Sequence, residues 1–412
     1  MLIEKIQIER LIPADYNPRK DLKPGDPEYE KLKRSLEEFG YVEPVIWNKT
    51  TGHVVGGHQR LKILLDMGII EVECVVVEMD AEKEKALNVA LNKISGDWDK
   101  DKLALIISDL QGADFDVSLT GFDPGEIDDL FKDSLKDGIK DDDFDVDAEL
   151  SKPVFTKLGD IWTLGRHRVI CDDSTKSETY DVLMQGKLSN LIVTDPPYGI
   201  DYDKGVAGKI KNDKFDTDEN FYKFLLDAFT NMGVALANDG AAYVFHADSK
   251  GLVVRRAFED AGFKLSGCCI WAKNTFTLGR SDYQWCHEPC LYGWKKSGKH
   301  IWYGDRKQST IWNCDKPSRS ESHPTTKPVP LLAIPIQNST QTNGIVLDPF
   351  GGSGSTLICC EQLNRQAYLA ELDEKFVDVI VNRFIETVSS SDEVFVERDG
   401  QRLSYAEVTK NG

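Results

Sequence analysis

The sequence predicts an α/β chain in which a mostly parallel sheet carries helices on both faces, preceded by a smaller α+β domain. Two observations carry this. From about residue 151, short runs apolar at nearly every position recur: Leu191-Ile192-Val193-Thr194, Gly240-Ala241-Ala242-Tyr243-Val244-Phe245, Gly344-Ile345-Val346-Leu347 and Ala367-Tyr368-Leu369-Ala370. Such a run is a strand buried on both faces, and the helical stretches between the runs supply crossovers. Residues 1 to about 95 instead alternate short strands with helices. Val42 to Trp47 reads as a strand with Pro44 near an edge or at its start. Val54-Val55 is a second strand, ending at Gly56-Gly57. Arg60 to Met67 has helical spacing, with Gly68 where a C-cap glycine belongs, and Val72 to Val77 is β-branched and strand-like.

Between these regions, residues 98–135 read as helical, with Leu103, Ile106, Ile107 and Leu110 on one face. Residues 136–150 are dense in Asp and poor in large apolar side chains, so they read as a solvated linker. The expected division is a domain over 1–95, a helical segment and acidic linker over 96–150, a main domain over 151–390 and a tail over 391–412.

At 412 residues with 41% hydrophobic content, the chain exceeds one ordinary core. It contains no uncharged apolar run long enough to span a membrane. Met1-Leu2-Ile3-Glu4-Lys5 lacks the layout of a signal peptide. Nine scattered cysteines form no disulfide framework, which fits a reducing, cytoplasmic setting. The net charge of −19 argues against a nucleic-acid partner, but it is unevenly spread. Residues 121–150 hold twelve acids and three lysines, a net of −9. Residues 264–330 hold eleven Lys or Arg and five acids, a net of +6. Local patches, not the total, make phosphate contacts.

Two loops carry candidate chemistry. Asp195-Pro196-Pro197-Tyr198 directly follows a buried strand, at the sheet edge where open α/β folds place ligands. An exocyclic base amine is a poor nucleophile because its lone pair is delocalised into the ring. A carboxylate and a backbone carbonyl can accept its two N–H bonds, the prolines hold those acceptors still, and an aromatic ring can stack on a flipped base. An ordinary proline-rich turn is the alternative. The second loop, Asp348-Pro349-Phe350-Gly351-Gly352-Ser353-Gly354-Ser355-Thr356, also follows a buried strand. Its glycines allow close backbone approach, and it lacks the lysine of a phosphate loop. Glu371 ends the next strand, where an acid can accept ribose hydroxyls.

On these motifs, residues 160–385 resemble the amino-methylating DNA methyltransferases whose catalytic loop precedes the S-adenosylmethionine (SAM) loop. The resemblance implies a Rossmann-like SAM-dependent fold, methylation of double-stranded DNA as in restriction–modification, and no metal. Asp195, Pro196, Pro197 and Tyr198 match the catalytic DPPY. Phe350, Gly352 and Gly354 match FxGxG, with Asp348 before it, and Glu371 matches the ribose-binding acid. His323-Pro324-Thr325-Thr326-Lys327-Pro328 matches the segment that helps close the cofactor pocket, assigning His323, Thr325 and Lys327 to it. Asp173-Ser174 resembles a cofactor-proximal element, with Asp172 where the family has glycine. N6 of adenine is the expected target because the loop begins with Asp. N4 of cytosine is the rival, and RNA or protein substrates are also compatible with such loops.

Between the loops, Trp271 to Arg319 interleaves aromatics with basic residues, of which Lys295, Lys296, Lys299, Arg306 and Lys307 are the candidate DNA contacts. In the family it resembles, target recognition lies here, about 264–320 in this chain. Solvated lysines and core tryptophans are the alternative. Cys286-His287-Glu288-Pro289-Cys290 has no second ligand pair and is not a zinc site.

The amino-terminal domain resembles the ParB/sulfiredoxin type through Asn17-Pro18-Arg19 and Val54-Val55-Gly56-Gly57-His58-Gln59-Arg60. That resemblance points to a nucleotide at Gly57, His58 and Arg60, although His58 and Gln59 replace the partition box's Glu-Arg and no cysteine is present. Asn88 and Asn92 share a helical face and either pair with that site or are exposed. DNA tethering, homodimer assembly and nucleotide response are its candidate roles, and a partition-like protein with an inactive methylase half is the competing reading of the whole chain.

Overall fold

The computed structural model describes residues 2–19, 21–92, 99–112, 117–122, 124–134, 138–199, 214–277, 282–315 and 326–409. They form two units, Met1–Lys136 and Asp137–Gly412.

In the first unit, β1 (Leu2–Gln7), β2 (Ile12–Pro13), α1 (Pro27–Phe39), β3 (Val45–Asn48), β4 (His53–Gly56), α2 (His58–Asp66) and β5 (Glu71–Val77) build a mixed five-stranded sheet in the order β1-β5-β3-β4-β2. β3 begins immediately after Pro44, which has no N–H to give the ladder. Ile6, Val45, Trp47, Val54, Leu61, Cys74 and Val76 form its core. Gly68 takes φ +74° after α2, as the C-cap reading requires. One buried carboxylate ties the sheet to α3 (Ala81–Asn92): Glu84 accepts from Tyr16 Oη at 2.6 Å, Asn48 Nδ2 at 2.5 Å and Thr51, and faces His53. α3 then packs with α4 (Lys100–Gly112) and α5 (Pro124–Ser134) around Val89, Leu103, Ile106, Ile107, Leu110, Ile127 and Leu130.

The second unit contains α6 (Val146–Leu150), β6 (Ile161–Leu164), β7 (His167–Cys171), α7 (Ser177–Met184), β8 (Ser189–Thr194), α8 (Asp218–Ala235), β9 (Leu236–Phe245), α9 (Gly251–Asp260), β10 (Phe263–Thr277), β11 (Trp285–Lys295) and β12 (Ile311–Asn313). It continues through α10 (Val329–Ser339), β13 (Ile345–Asp348), α11 (Ser355–Gln362), β14 (Gln366–Glu371), α12 (Glu374–Val388), β15 (Val394–Arg398), β16 (Gln401–Ser404) and α13 (Tyr405–Thr409). All eleven strands join one sheet in the order β12-β10-β11-β9-β8-β13-β14-β7-β6-β15-β16. The central strands β9, β8, β13, β14 and β7 are parallel. Helices α7, α8 and α9 bury Leu183, Phe221, Phe229 and Phe258 against one face with Ile192, Val244 and Leu347. α10 lies on the other face, where Ser339 meets Tyr243 Oη at 3.1 Å.

Two expectations change. The segment after residue 390 is not a tail, because β15 pairs with β6 and extends the sheet, and Arg398 binds buried Asp160. The acidic stretch, as far as it is described, is not a solvated linker. Both Asp142 oxygens accept from Arg383 on α12, at 2.7 Å from Nε and 3.1 Å from Nη2. Asp141 Oδ1 accepts from Val329 N at the start of α10 at 2.6 Å. Lys140 exchanges two hydrogen bonds with the Gln362 side chain, and buried Glu149 accepts from Asn382. The cause is Arg383, which is buried and needs an anion that composition alone does not reveal.

Asp142→Ala should therefore destabilise this unit. Removing the partner of a buried guanidinium costs about 3–5 kcal/mol in full burial. Asp142 is 24% exposed, so a loss nearer 1–3 kcal/mol is expected. Calorimetry of the full chain should show an unfolding midpoint lower by several degrees, and an unchanged midpoint would show that the strap contributes nothing.

Candidate active site

β8 and β13 are adjacent and parallel, yet their chains leave in opposite directions. From β8 the chain crosses to β9, and from β13 to β14 on the other side. Such a divergence opens a crevice at the carboxyl ends of the two strands. Asp195 and Asp348 both stand there.

Asp348 bridges the two loops. Its Oδ1 accepts from Thr194 Oγ1 at 2.7 Å and Phe350 N at 3.2 Å, and its Oδ2 accepts from Thr356 Oγ1 at 2.6 Å. Burial pushes its carboxyl up to about 7, against the pull of those hydroxyl donors. Both oxygens are thus spent inside the protein, and Asp348 ties the end of β8 to the start of α11.

The glycine loop runs from β13 to α11, whose N-cap is Gly354 at φ +82°. A Cβ at Gly354 would stand 3.0 Å from Ile380, so the turn has no room for a side chain. A Cβ at Gly352 (φ +50°) would meet nothing nearer than the Phe350 carbonyl at 4.0 Å. The backbone there borders open space, where a ligand can approach closely. Glu371 Oε2 accepts from Gly352 N and Oε1 from Asp373 N, both at 2.8 Å. Burial lifts its carboxyl to about 7, with the two backbone donors opposing. Phe350 packs on Phe224 of α8, ring centres 5.9 Å apart. Asp173 follows β7, whose Cys171 is in register with Glu371, and closes its own turn by accepting from Thr175 N and Oγ1. The structure therefore brings Asp173, Phe350, Gly352, Gly354 and Glu371 to one edge. These residues fit an adenosine-type cofactor: open glycine backbone, an aromatic wall and an acid with lone pairs left for hydroxyls.

The Asp195 loop is built around charge. Lys327, only 7% exposed, donates to Asp195 Oδ2 and, at 3.1 Å, to Tyr198 Oη. It also lies 3.2 Å from Glu288 Oε2. Tyr198 Oη donates to Glu288 at 2.9 Å, and Lys273 pairs with the other Glu288 oxygen. Burial alone would lower Lys327, but Asp195 and Glu288 outweigh it and raise the ammonium to about 12. Burial likewise favours a neutral Glu288, yet Lys327 and Lys273 hold its carboxyl at about 2. For Asp195 burial wins, and its carboxyl is raised despite Lys327. Its Oδ1 is buried and has no hydrogen-bond partner among the described residues. A buried acceptor without a donor is costly, and it marks where a substrate N–H can be received.

Lys327, which the family segment assigned to the cofactor pocket, thus contacts the Asp195 loop. His323 and Thr325 lie outside the described residues. Glu288 and Lys273 were missed. The available signal was a glutamate inside an otherwise apolar strand, which was weighed only as a metal ligand. Among the described residues no cluster of His, Cys, Asp or Glu is placed to hold a metal ion.

The basic residues are not grouped with this site. Asp195 follows Thr194, which pairs with Val244, and the next residue, Phe245, pairs with Cys290. β11 runs antiparallel to β9, so Lys295 lies five residues further towards the opposite edge, roughly 17 Å at about 3.4 Å per residue. Lys296 donates to the Glu259 carbonyl, and Lys299 N to Asn238 at the start of β9. Arg306 and Lys307 are exposed on the connection leading back to β12. Trp271 and Trp312 are core, whereas Trp285 is exposed.

In the first unit, Gly57 caps α2 at φ +89°. Arg60 is engaged by the Glu43 carboxylate and carbonyl, and burial lowers His58 to about 4. Asn88 donates to the Val55 carbonyl at 2.8 Å and so braces the strand before that turn, while the Asn92 side chain lies outside the described residues.

Comparison with known proteins places the chain in a family. The DNA methylase family of the N6/N4 type matches residues 189–382, the ParB N-terminal domain 2–93, and the ParB-methyltransferase HTH domain 101–158. The last match covers helices that the sequence showed only as helical. YubD of Escherichia coli (strain K12) is 32% identical over 191 residues, 46% of this chain and 79% of YubD. The type II methyltransferase M2.MboI of Moraxella bovis is 24% identical over 240 residues, 52% of this chain and 87% of its own. The crystal structure of an M1.HpyAVI–SAM complex is similar over 52% of this chain and 98% of that one, at 22% identity and a TM-score of 0.41. No helix among the described residues is long and apolar enough to cross a membrane. The chain belongs to the N6/N4-type DNA methylases, a family of SAM-dependent methyltransferases.

Proposed function

We propose that this protein methylates an exocyclic amine in DNA, at N6 of adenine. The observation that carries the reading is the buried Oδ1 of Asp195, without a partner among the described residues, at the crevice between β8 and β13, beside the glycine loop. SAM, when bound, supplies an electrophilic methyl group. Gly352, Phe350 and Glu371 would hold it, the Glu371 carboxylate serving as acceptor for its ribose hydroxyls. Asp195 Oδ1 and the Pro196 carbonyl accept the two N–H bonds of the target amine and free its lone pair. Tyr198, fixed by Lys327 and Glu288, stacks on the extruded base. Lys327 opposes the burial that raises the Asp195 carboxyl. Catalysis would be mainly positioning of the target amine by Asp195 and the Pro196 carbonyl. The leading Asp of the DPPY loop supports adenine over cytosine. For the amino-terminal unit we infer DNA tethering, supported by its matches to the ParB N-terminal domain and the associated HTH domain. A second DNA-holding module raises effective concentration without altering the pocket.

Methylation-sensitive sequencing of DNA from cells expressing the protein should show N6-methyladenine at one sequence motif. N4-methylcytosine instead would overturn the base assignment, and no modified base the whole reading. Asp195→Ala should abolish the modification while SAM affinity in calorimetry stays within about threefold.

Lys327→Met should leave Asp195 buried without its cation. An adjacent opposite charge lowers a carboxyl by about 1–3 units. The acid limb of the pH–rate profile should therefore move up by at least about one unit, with the rate recovering at higher pH. An unmoved limb would remove Lys327 from this role.

Glu371 ionises near 7, and only its carboxylate accepts two hydroxyl bonds. SAM binding must displace a proton below that pH, so the dissociation constant should rise as pH falls from 8 to 6. In Glu371→Gln this dependence should vanish, and affinity at pH 8 should drop by about one to two orders of magnitude, the value of roughly 1.5–3 kcal/mol for bonds to a charged group. A variant that keeps the wild-type pH dependence would place the titrating group elsewhere.

A further inference from the structure

β10 and β11 form a hairpin that outruns the rest of the sheet. β11 pairs with β9 only from Cys290 to Gly293, and β12 pairs with β10 only from Ile270 to Ala272. Ala272 pairs with His287, and beyond it the described ends of the hairpin pair with each other alone, at Thr277 with Trp285. The register slips between those two pairs, five residues on β10 against two on β11. Because β11 is antiparallel to β9, this free end projects from the edge that carries Asp195.

The hairpin serves the catalytic cluster at its base. Glu288 receives the Tyr198 hydroxyl and stands beside Lys327, and Lys273 comes from the paired strand. Three residues outward from Glu288, roughly 10 Å along the strand, the surface turns aromatic. Tyr283 is 92% exposed, Phe276 61% and Trp285 47%. Large aromatics left in water on a projecting, twisted hairpin mark an interaction surface. Its continuity with the Asp195 loop selects the occupant, because whatever base reaches Asp195 has left a stack close to this hairpin. Extruding a base costs a few kcal/mol of stacking and pairing. Rings inserted between base steps restore part of the stacking.

We propose that Phe276, Tyr283 and Trp285 insert into the substrate duplex beside the target base and occupy the place it leaves. This rests on the reading of Asp195 as the residue that receives the target amine. The hairpin thereby couples two tasks: its exposed aromatics open the duplex, and its base sets the Tyr198 ring that receives the base.

The test uses the full-length protein and an oligonucleotide duplex carrying the sequence motif found by methylation sequencing. The target base is either paired or placed opposite an abasic site, where little pairing must be broken. Tyr283→Ala with Trp285→Ala should lower kcat/KM on the paired duplex at least tenfold relative to wild type. On the abasic duplex the same variant should come within about threefold of wild type, with SAM affinity unchanged. Tyr283→Phe with Trp285→Phe keeps the rings and should restore the paired-duplex rate. Equal losses on both duplexes, no loss on either, or a changed oligomeric state of the alanine variant in gel filtration would overturn the proposal. The last outcome would assign the surface to a second copy of the chain. Wild-type protein that methylates neither duplex would overturn the Asp195 reading and this proposal with it.

Discussion

Everything at the carboxyl edge of the sheet depends on the parting of β8 and β13 and on the carboxylate that bridges it. Parallel neighbours whose chains leave to opposite sides open a crevice between their loops, but they do not by themselves fix the loops relative to each other. Asp348 does so by holding Thr194 on one strand and Thr356 on the helix after the other. Two hydroxyls and an amide satisfy a carboxylate that burial would otherwise make expensive. The Asp195 loop and the glycine loop are therefore joined through one carboxylate, and misplacement of reacting groups by about 1 Å can cost two orders of magnitude in rate.

Around those loops the protein arranges supports that differ in origin. Arg383 reaches from α12 to the Ser353 carbonyl and the Ser355 hydroxyl, and the Asp142 strap neutralises it. Lys327, just before α10, fixes Asp195 and Tyr198. The β10–β11 hairpin contributes Glu288 and Lys273. Segments scattered through the sequence thus converge on two adjacent loops.

The parts of the site written in consecutive residues were legible. Asp195 to Tyr198, Phe350 to Gly354 and Glu371 each sit at a strand end, where position in the fold follows from local pattern. What depends on strand direction was not. Lys295, Lys296 and Lys299 share a stretch with Glu288, but alternate ends of an antiparallel strand reach opposite edges of the sheet. The acidic segment failed for a related reason: its density of Asp signalled solvent, whereas the need of buried Arg383 for an anion decided the outcome for Asp142. Lys327 was found through its motif, but its contacts with Asp195 and Tyr198 could not be read from it, since a long side chain can serve either of two adjacent loops. The segment after residue 390 shows that strands added at a sheet edge leave a weak alternating signal that is easily read as a tail.

The charges around Tyr198 alternate from Lys273 through Glu288 and Lys327 to Asp195, two cations and two anions. Their sum is zero. A neutral base can enter such a pocket without importing or expelling an ion, and the pocket offers phosphate no net attraction. Counterion release on DNA binding must therefore originate elsewhere on the protein, among groups that meet the backbone. Ionic strength would then tune how long the protein stays on DNA while leaving the chemistry inside the pocket almost untouched.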